Sequence, residues 1–222
     1  MQPVVSQTAH VAATAQDTVS ALVAGLKTQM QAMLQMVERV QRATEASDAT
    51  EDVVQLAAVS LTQWTGKPEA TVVFDSLVDA LAVDTFAQAV TGTPDVALVA
   101  VTTDGDVLGA FFSGALTGPD VACPDASVFV FSFESHGRCM TPQRFVLKPS
   151  AVEHASVRLL PAPGVGVEFL FSERASLLLS DDQTPSTTSS LSEAFDGLED
   201  ETLVGANATP FRCSRLIGMH LH

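Results

Sequence analysis

Basic side chains are scarce in this sequence: 11 lysines and arginines stand against 26 aspartates and glutamates in 222 residues, a formal charge of −15. Phosphate binding draws mainly on lysine and arginine, so a nucleic-acid face is excluded. Anionic membrane surfaces repel such a chain for the same reason. A basic protein partner would be drawn towards it, because opposite charge steers encounter. Cysteine is also sparse. Cys123, Cys139 and Cys213 are an odd number in a chain long enough to need no staple, and free thiols in a reducing compartment are expected. Long apolar runs are missing: none approaches the roughly eighteen uninterrupted apolar residues of a spanning helix, so no membrane insertion is expected. The opening MQPVVSQTAHVAATAQD has neither a basic flank nor a long apolar run. It does not read as a signal peptide, and a cytoplasmic location is expected.

What is present is a folding composition, 46% apolar, enough for one sizeable core and an extra helix or two. From Asp17 to Glu45 there is no proline, and Val19, Leu22, Leu26, Met30, Met33, Val37 and Val40 recur at helical spacing. A long amphipathic helix of roughly 45 Å is expected there. Its stripe suits self-association through residues 17–45 or packing on its own domain, and its methionines suit adaptable packing. A second helix is expected from Glu51 to Gln63, closed by Trp64 and the Gly66–Pro68 boundary. Two parts follow: a helical segment, 1–50, with coiled-coil character, and a domain, 51–222.

Beyond the boundary the period changes. Thr71–Phe74 reads as a strand, and Leu77–Val90 as a helix with Leu77, Leu81, Phe86 and Val90 inward. Val96–Val101 and Val107–Phe112 flank Asp104-Gly105, a strong hairpin signal because glycine tolerates positive φ. Further strands are expected at Ser127–Phe133, Arg144–Leu147, Ser156–Leu160, Val165–Phe171, Ala175–Ser180 and Phe211–His220. In the first of these, valines and phenylalanines alternate so that both faces read as buried. The polar run DDQTPSTTSS, 181–190, reads as a surface loop. Without long helices in the second half, the fold class is α+β: a two-layer antiparallel β-sandwich flanked by helices and preceded by the long N-terminal helix.

Chemical motifs are thin. Cys123, His136 and Cys139 lack the second clustered pair of a structural zinc site, and His220 with His222 has no acidic or thiol neighbour. No GxSxG elbow occurs. Cys139 beside Arg138 and His136 has the setting that favours a thiolate, and His154 is a second candidate base. Asp75 and Asp79 read as caps and turn formers. Pro163-Gly-Val-Gly166 fits neither phosphate-binding pattern and reads as a tight turn. The polar residues that stand out are Glu134, ending an aromatic strand, and Glu168, inside an apolar one. Glu168 must pair or face solvent, since a lone buried carboxylate is costly.

Several blocks, in order, resemble the TLDc family: Val101–Phe111, with a glycine in the return strand; Ser127–Phe133; Gly164–Phe171 with Ala175–Leu179; Leu191-Ser-Glu-Ala-Phe195; and Phe211–Met219 as the final strand. Leu61–Gly66 and Val73–Asp79 look like the divergent TLDc-like proteins of amoebae, which also tend to carry an N-terminal helical segment. The resemblance spans residues 60–221. Departures are Arg215 and Ile217-Gly218 in the final strand, and Val165-Gly166 where Phe-Gly is usual. The resemblance implies a β-sandwich flanked by helices and a role in oxidative-stress resistance. It also implies binding to subunits of the vacuolar proton-pumping ATPase, and it carries over no catalytic residue. A non-enzymatic regulatory or interaction module without cofactor or metal is therefore expected. Two alternatives stay open, a thiol-dependent enzyme using Cys139 and a small-ligand-binding sandwich; an aromatic-lined surface groove would mark the second.

Overall fold

Short runs rich in β-branched, aromatic and other apolar residues, several of them closed by a glycine- or aspartate-bearing turn, pair antiparallel in both sheets. The computed structural model of this protein describes residues 52–79, 83–160, 166–180, 185–199, 202–204 and 210–222, with Lys27 and Met30 besides. Those two residues are helical and exposed; the rest of the long-helix and self-association reading lies outside the described residues. The chain divides into two units, Met1–Asp52 and Val53–His222. The described elements are α1 (52–65), β1 (Ala70–Asp75), α2 (Val83–Val90), β2 (Val96–Thr102), β3 (Val107–Phe112), β4 (Ala122–Pro124), β5 (Phe129–Glu134), β6 (Gln143–Val146), β7 (Ser156–Leu159), β8 (Gly166–Leu170), β9 (Ser176–Ser180), β10 (Thr187–Ser189), α3 (Leu191–Ala194) and β11 (Cys213–Leu221).

The strands form two sheets, β1-β11-β2-β3-β5-β6 and β10-β9-β8-β7-β4. This is the expected α+β architecture of two packed antiparallel sheets with flanking helices. Between the sheets, Leu98, Leu108, Phe112 and Val130 meet Val157, Val167, Phe169 and Leu177 in one buried cluster. The opposite face of the six-stranded sheet is apolar too, with Ala97, Val99, Phe111, Phe129, Phe131, Phe133, Ile217 and Met219 buried. Helix α1 belongs to that second cluster: Ala57 and Leu61 are fully buried within it, and Val53, Val54 and Trp64 pack at its edge. The six-stranded sheet is therefore a middle layer, which is why β2, β3 and β5 are hydrophobic on both faces.

Phe131 decides one glycine. A Cβ on Gly109 would stand 2.0 Å from the Leu98 carbonyl oxygen and 2.5 Å from the Phe131 ring. No side chain fits between those groups, so the return strand of the hairpin carries glycine where Phe131 crosses it. The turn itself forms at Asp104-Gly105 as expected, with Gly105 at φ +91.

Three expectations are corrected. Residues 76–78 form a turn instead of helix, helix α2 is described over Val83–Val90, and Leu81 lies outside the described residues. Leu77 is 57% exposed and does not point inward, although Phe86 and Val90 do. The reason is local competition for the backbone: the Asp75 carboxylate accepts from the Leu77 N–H (3.0 Å), and that of Asp79 accepts from the Asp75 N–H (2.7 Å). Within 181–190, Thr187–Ser189 is a strand at the edge of the five-stranded sheet, with Ser186 and Thr188 buried. The Ser186 hydroxyl is satisfied by the Ser180 backbone and Cys213, so a polar residue is stable there. The short β4, paired with β7, was not expected at all; three residues give too little alternation to recognise.

The last strand, β11, lies between β1 and β2 in the sheet interior. Its Arg215 forms a buried bidentate pair with Asp75 of β1, Nε to Oδ1 at 2.9 Å and a terminal nitrogen to Oδ2. Burial works against the Asp75 charge. The Arg215 hydrogen bond, the Leu77 N–H and the guanidinium charge together outweigh it, and the carboxyl is held below its usual range.

Candidate functional site

Glu134 and Glu168, the polar residues that stand out in the sequence, each have a structural partner. Glu168 on β8 faces Arg158 on β7 in register and pairs with it, Nε donating at 3.0 Å; Arg158 also reaches Asp120 at 3.2 Å. The Glu168 hydrogen bond raises the Arg158 pKa against the opposing effect of burial, with the charges of Glu168 and Asp120 adding to it. Glu134, exposed at the end of β5, accepts from the N–H groups of Ser135 and His136 (3.0 and 2.8 Å) and so caps the turn that follows.

Cys139 is half-buried against the inner core, its N–H donating to the Ser135 hydroxyl at 2.6 Å. The two neighbours that could tune it are directed elsewhere. His136 Nδ1 and an Arg138 terminal nitrogen both lie 2.7 Å from Oδ1 of Asp106, and Arg138 also donates to the Thr202 and Leu203 carbonyls. This pairing fastens the 135–139 turn to the Asp104-Gly105 hairpin. Cys123 instead approaches the Ala115 carbonyl (3.5 Å). Among the described residues no three or more His, Cys, Asp or Glu side chains gather as a metal-binding group. The rings of His220 and His222 stand 5.0 Å apart, and His222 lies 3.5 Å from Glu69.

A feature that sequence reasoning did not place is an open groove of about 360 Å³ at one end of the outer sheet face. Its floor follows the cross-strand row Phe111–Phe129–Val146 of β3, β5 and β6. The Phe111 and Phe129 rings stack at 5.0 Å. Trp64, at the C-terminal end of α1, forms a wall, edge-on to Phe129 at 6.2 Å and stacked on Phe133 at 5.7 Å. Charge sits at two places: Lys67 is paired with Asp95 at 2.6 Å, and the Arg144 guanidinium lies over the Phe129 ring at 5.8 Å. Arg144 also donates to the Trp64 carbonyl, a last-turn acceptor of α1.

The groove's rim is held by one carboxylate. Asp125, 7% exposed, accepts from the N–H groups of Gly114 (3.0 Å) and Ser127 (2.9 Å), from the Ser113 N–H, and from the Ser127 hydroxyl (2.6 Å). Burial alone would raise its pKa; these bonds from Ser127, Gly114 and Ser113 outweigh burial, so it titrates below the usual carboxylate range. Ser113 and Ser127 are thereby fixed at the groove edge, hydroxyl to hydroxyl at 2.7 Å. A signal for this was present in Pro124-Asp-Ala-Ser127, where an aspartate two residues before a serine favours an Asx turn.

Helix α1 presents a second surface. Its inner side is packed on the sheet, while Leu56 and Val59 on the other side are 40% and 60% exposed. No helix among the described residues is long and apolar enough to cross a membrane. No protein-family model matches this chain, and no curated protein matches it.

Proposed function

We propose that this chain is a non-enzymatic interaction module that engages a protein partner through the outer side of α1. The observation that carries this reading is that α1 carries two large apolar side chains on the side turned away from the sheet, beside the exposed Gln55 and Gln63. One side, Ala57 and Leu61, is satisfied by the sheet; the other carries Leu56 and Val59 into solvent. Adjacent exposed apolar side chains on one helix face offer a partner surface to bury. The use of Glu134, Glu168, His136 and Arg138 in local pairing supports a scaffold role for the same residues that would otherwise be sought for catalysis.

The resemblance to the TLDc family extends the proposal to regulation, with subunits of the proton-pumping ATPase as partners and oxidative-stress resistance as the setting. What supports the extension is architecture: two antiparallel sheets with helices on them is the fold that resemblance implies. The test is affinity purification of the full-length tagged chain from its own cells, beside the double variant Leu56→Gln/Val59→Gln. Proteins retained by the wild type and lost by a folded double variant are the expected result. Retention of the same partners by both would refute the α1 surface, and recovery of partners other than the pump would refute the extension alone.

A further inference from the structure

We infer that the groove walled by Trp64 is a binding site for a small organic monoanion, an aromatic or apolar body carrying one carboxylate, with Arg144 as the anion's anchor. A volume of about 360 Å³ lies at the small-molecule end of the scale. It is too small for a folded partner and of a size for a single planar ring with a short tail. Phe129 and Trp64 supply an apolar floor and wall against which such a body is desolvated.

Charge selects the rest. Three ionised side chains line the groove, Lys67, Asp95 and Arg144. Lys67 and Asp95 neutralise one another at 2.6 Å. No described carboxylate forms an ion pair with Arg144, whose placement is fixed by the Phe129 ring and the Trp64 carbonyl. One uncompensated positive charge therefore stands over an aromatic floor, on a chain whose formal charge is −15. The planar guanidinium fork matches a carboxylate and retains free donors after its bond to Trp64. A dianion such as a phosphate monoester finds only one unpaired cation, Arg144, against the repulsion of a chain of net charge −15. A neutral sugar leaves Arg144 unused. The rim is preorganised as well, because Asp125 pins both groove serines, so binding does not have to order them.

Trp64 makes the proposal directly readable, since it is the only tryptophan in a chain without tyrosine. The probes are 3-phenylpropionate and its neutral match 3-phenylpropanol, titrated against the full-length protein with Trp64 emission excited at the red edge of indole absorption. Saturable binding of the acid at least about tenfold tighter than of the alcohol is expected, the scale of one hydrogen-bonded charge pair. Arg144→Gln removes that preference while far-ultraviolet circular dichroism stays unchanged. Asp95→Asn tightens acid binding several-fold; asparagine keeps the positive φ of +53 found at that position. Equal affinity for acid and alcohol, no saturable response to the acid, or an acid preference that survives Arg144→Gln would each overturn the inference. None of these outcomes depends on α1's outer side, so the protein-partner reading stands or falls separately.

Discussion

Arg215→Met is the substitution that most directly tests how the six-stranded sheet is locked. Arg215 is 5% exposed and Asp75 8%, and the pair joins neighbouring strands β1 and β11 next to the irregular register at Val72–Phe74. Methionine fills much of the arginine stem's volume but leaves the Asp75 carboxylate buried with the Leu77 N–H as its remaining described donor. Leaving one member of a buried pair uncompensated costs about 3–5 kcal/mol. In a domain of this size that corresponds to a fall in Tm of roughly 6–20 °C. Urea unfolding at neutral pH measures it. The double variant Asp75→Asn/Arg215→Met should recover about 2 kcal/mol of the loss, because the unpaired charge is gone. The sign with pH is fixed. In the wild type the Asp75 pKa is depressed, so its stabilisation is present above the ordinary aspartate value and lost as pH falls through the folded value. In Arg215→Met the guanidinium no longer opposes burial, the folded pKa rises, and the stability gap to the wild type narrows as pH falls from the variant's raised folded value to the wild type's lowered one. A single-variant loss under about 1 kcal/mol, the range of exposed pairs, would refute this account.

Gly109→Ala should cost at least about 3 kcal/mol, because Leu98 backbone and Phe131 ring both occupy the space a methyl needs; a wild-type unfolding midpoint would contradict the packing described. Glu168→Gln should cost no more than about 1 kcal/mol, since its pair with Arg158 is part-exposed, and a larger loss in denaturant unfolding would show that Glu168 does more than pair. Asp125→Ala should destabilise by about 2–4 kcal/mol through the loss of several charge-assisted bonds. Its depressed pKa makes that contribution complete above the ordinary aspartate value and lost as pH falls through the folded one, which an acid-unfolding series of wild type and variant resolves. In the native protein a thiol reagent should modify Cys123 and Cys139, both half-buried, well before Cys213, which is 3% exposed; peptide mapping of the labelled chain orders them.

Elements whose cause is local were legible in the sequence. The Asp104-Gly105 hairpin, the doubly apolar β5 and the break after Trp64 each follow from residues within a few positions of one another, and all three stand in the structure. The pairing of Glu168 was legible too, as a requirement without a named partner, because a carboxylate in an apolar strand is expensive whatever lies across from it. Arg158 was supplied by register, which no local pattern specifies. The start of α2 was misplaced because Asp75 and Asp79 bind nearby N–H groups, and the edge strand β10 was missed because its residues are all polar; the hydroxyls of Ser186, just before it, and Ser189 find partners in Ser180, Cys213 and the Arg174 carbonyl. The groove was not legible at all. Its walls come from residues 64, 65, 67, 95, 111, 113, 127, 129, 144 and 146, brought together only when β3, β5 and β6 pair and α1 ends above them. By itself the sequence determined composition, charge, turns and strand periods, since these act over one or two turns of chain. The tertiary structure decided which charge met which, because strand pairing joins residues that the chain keeps far apart.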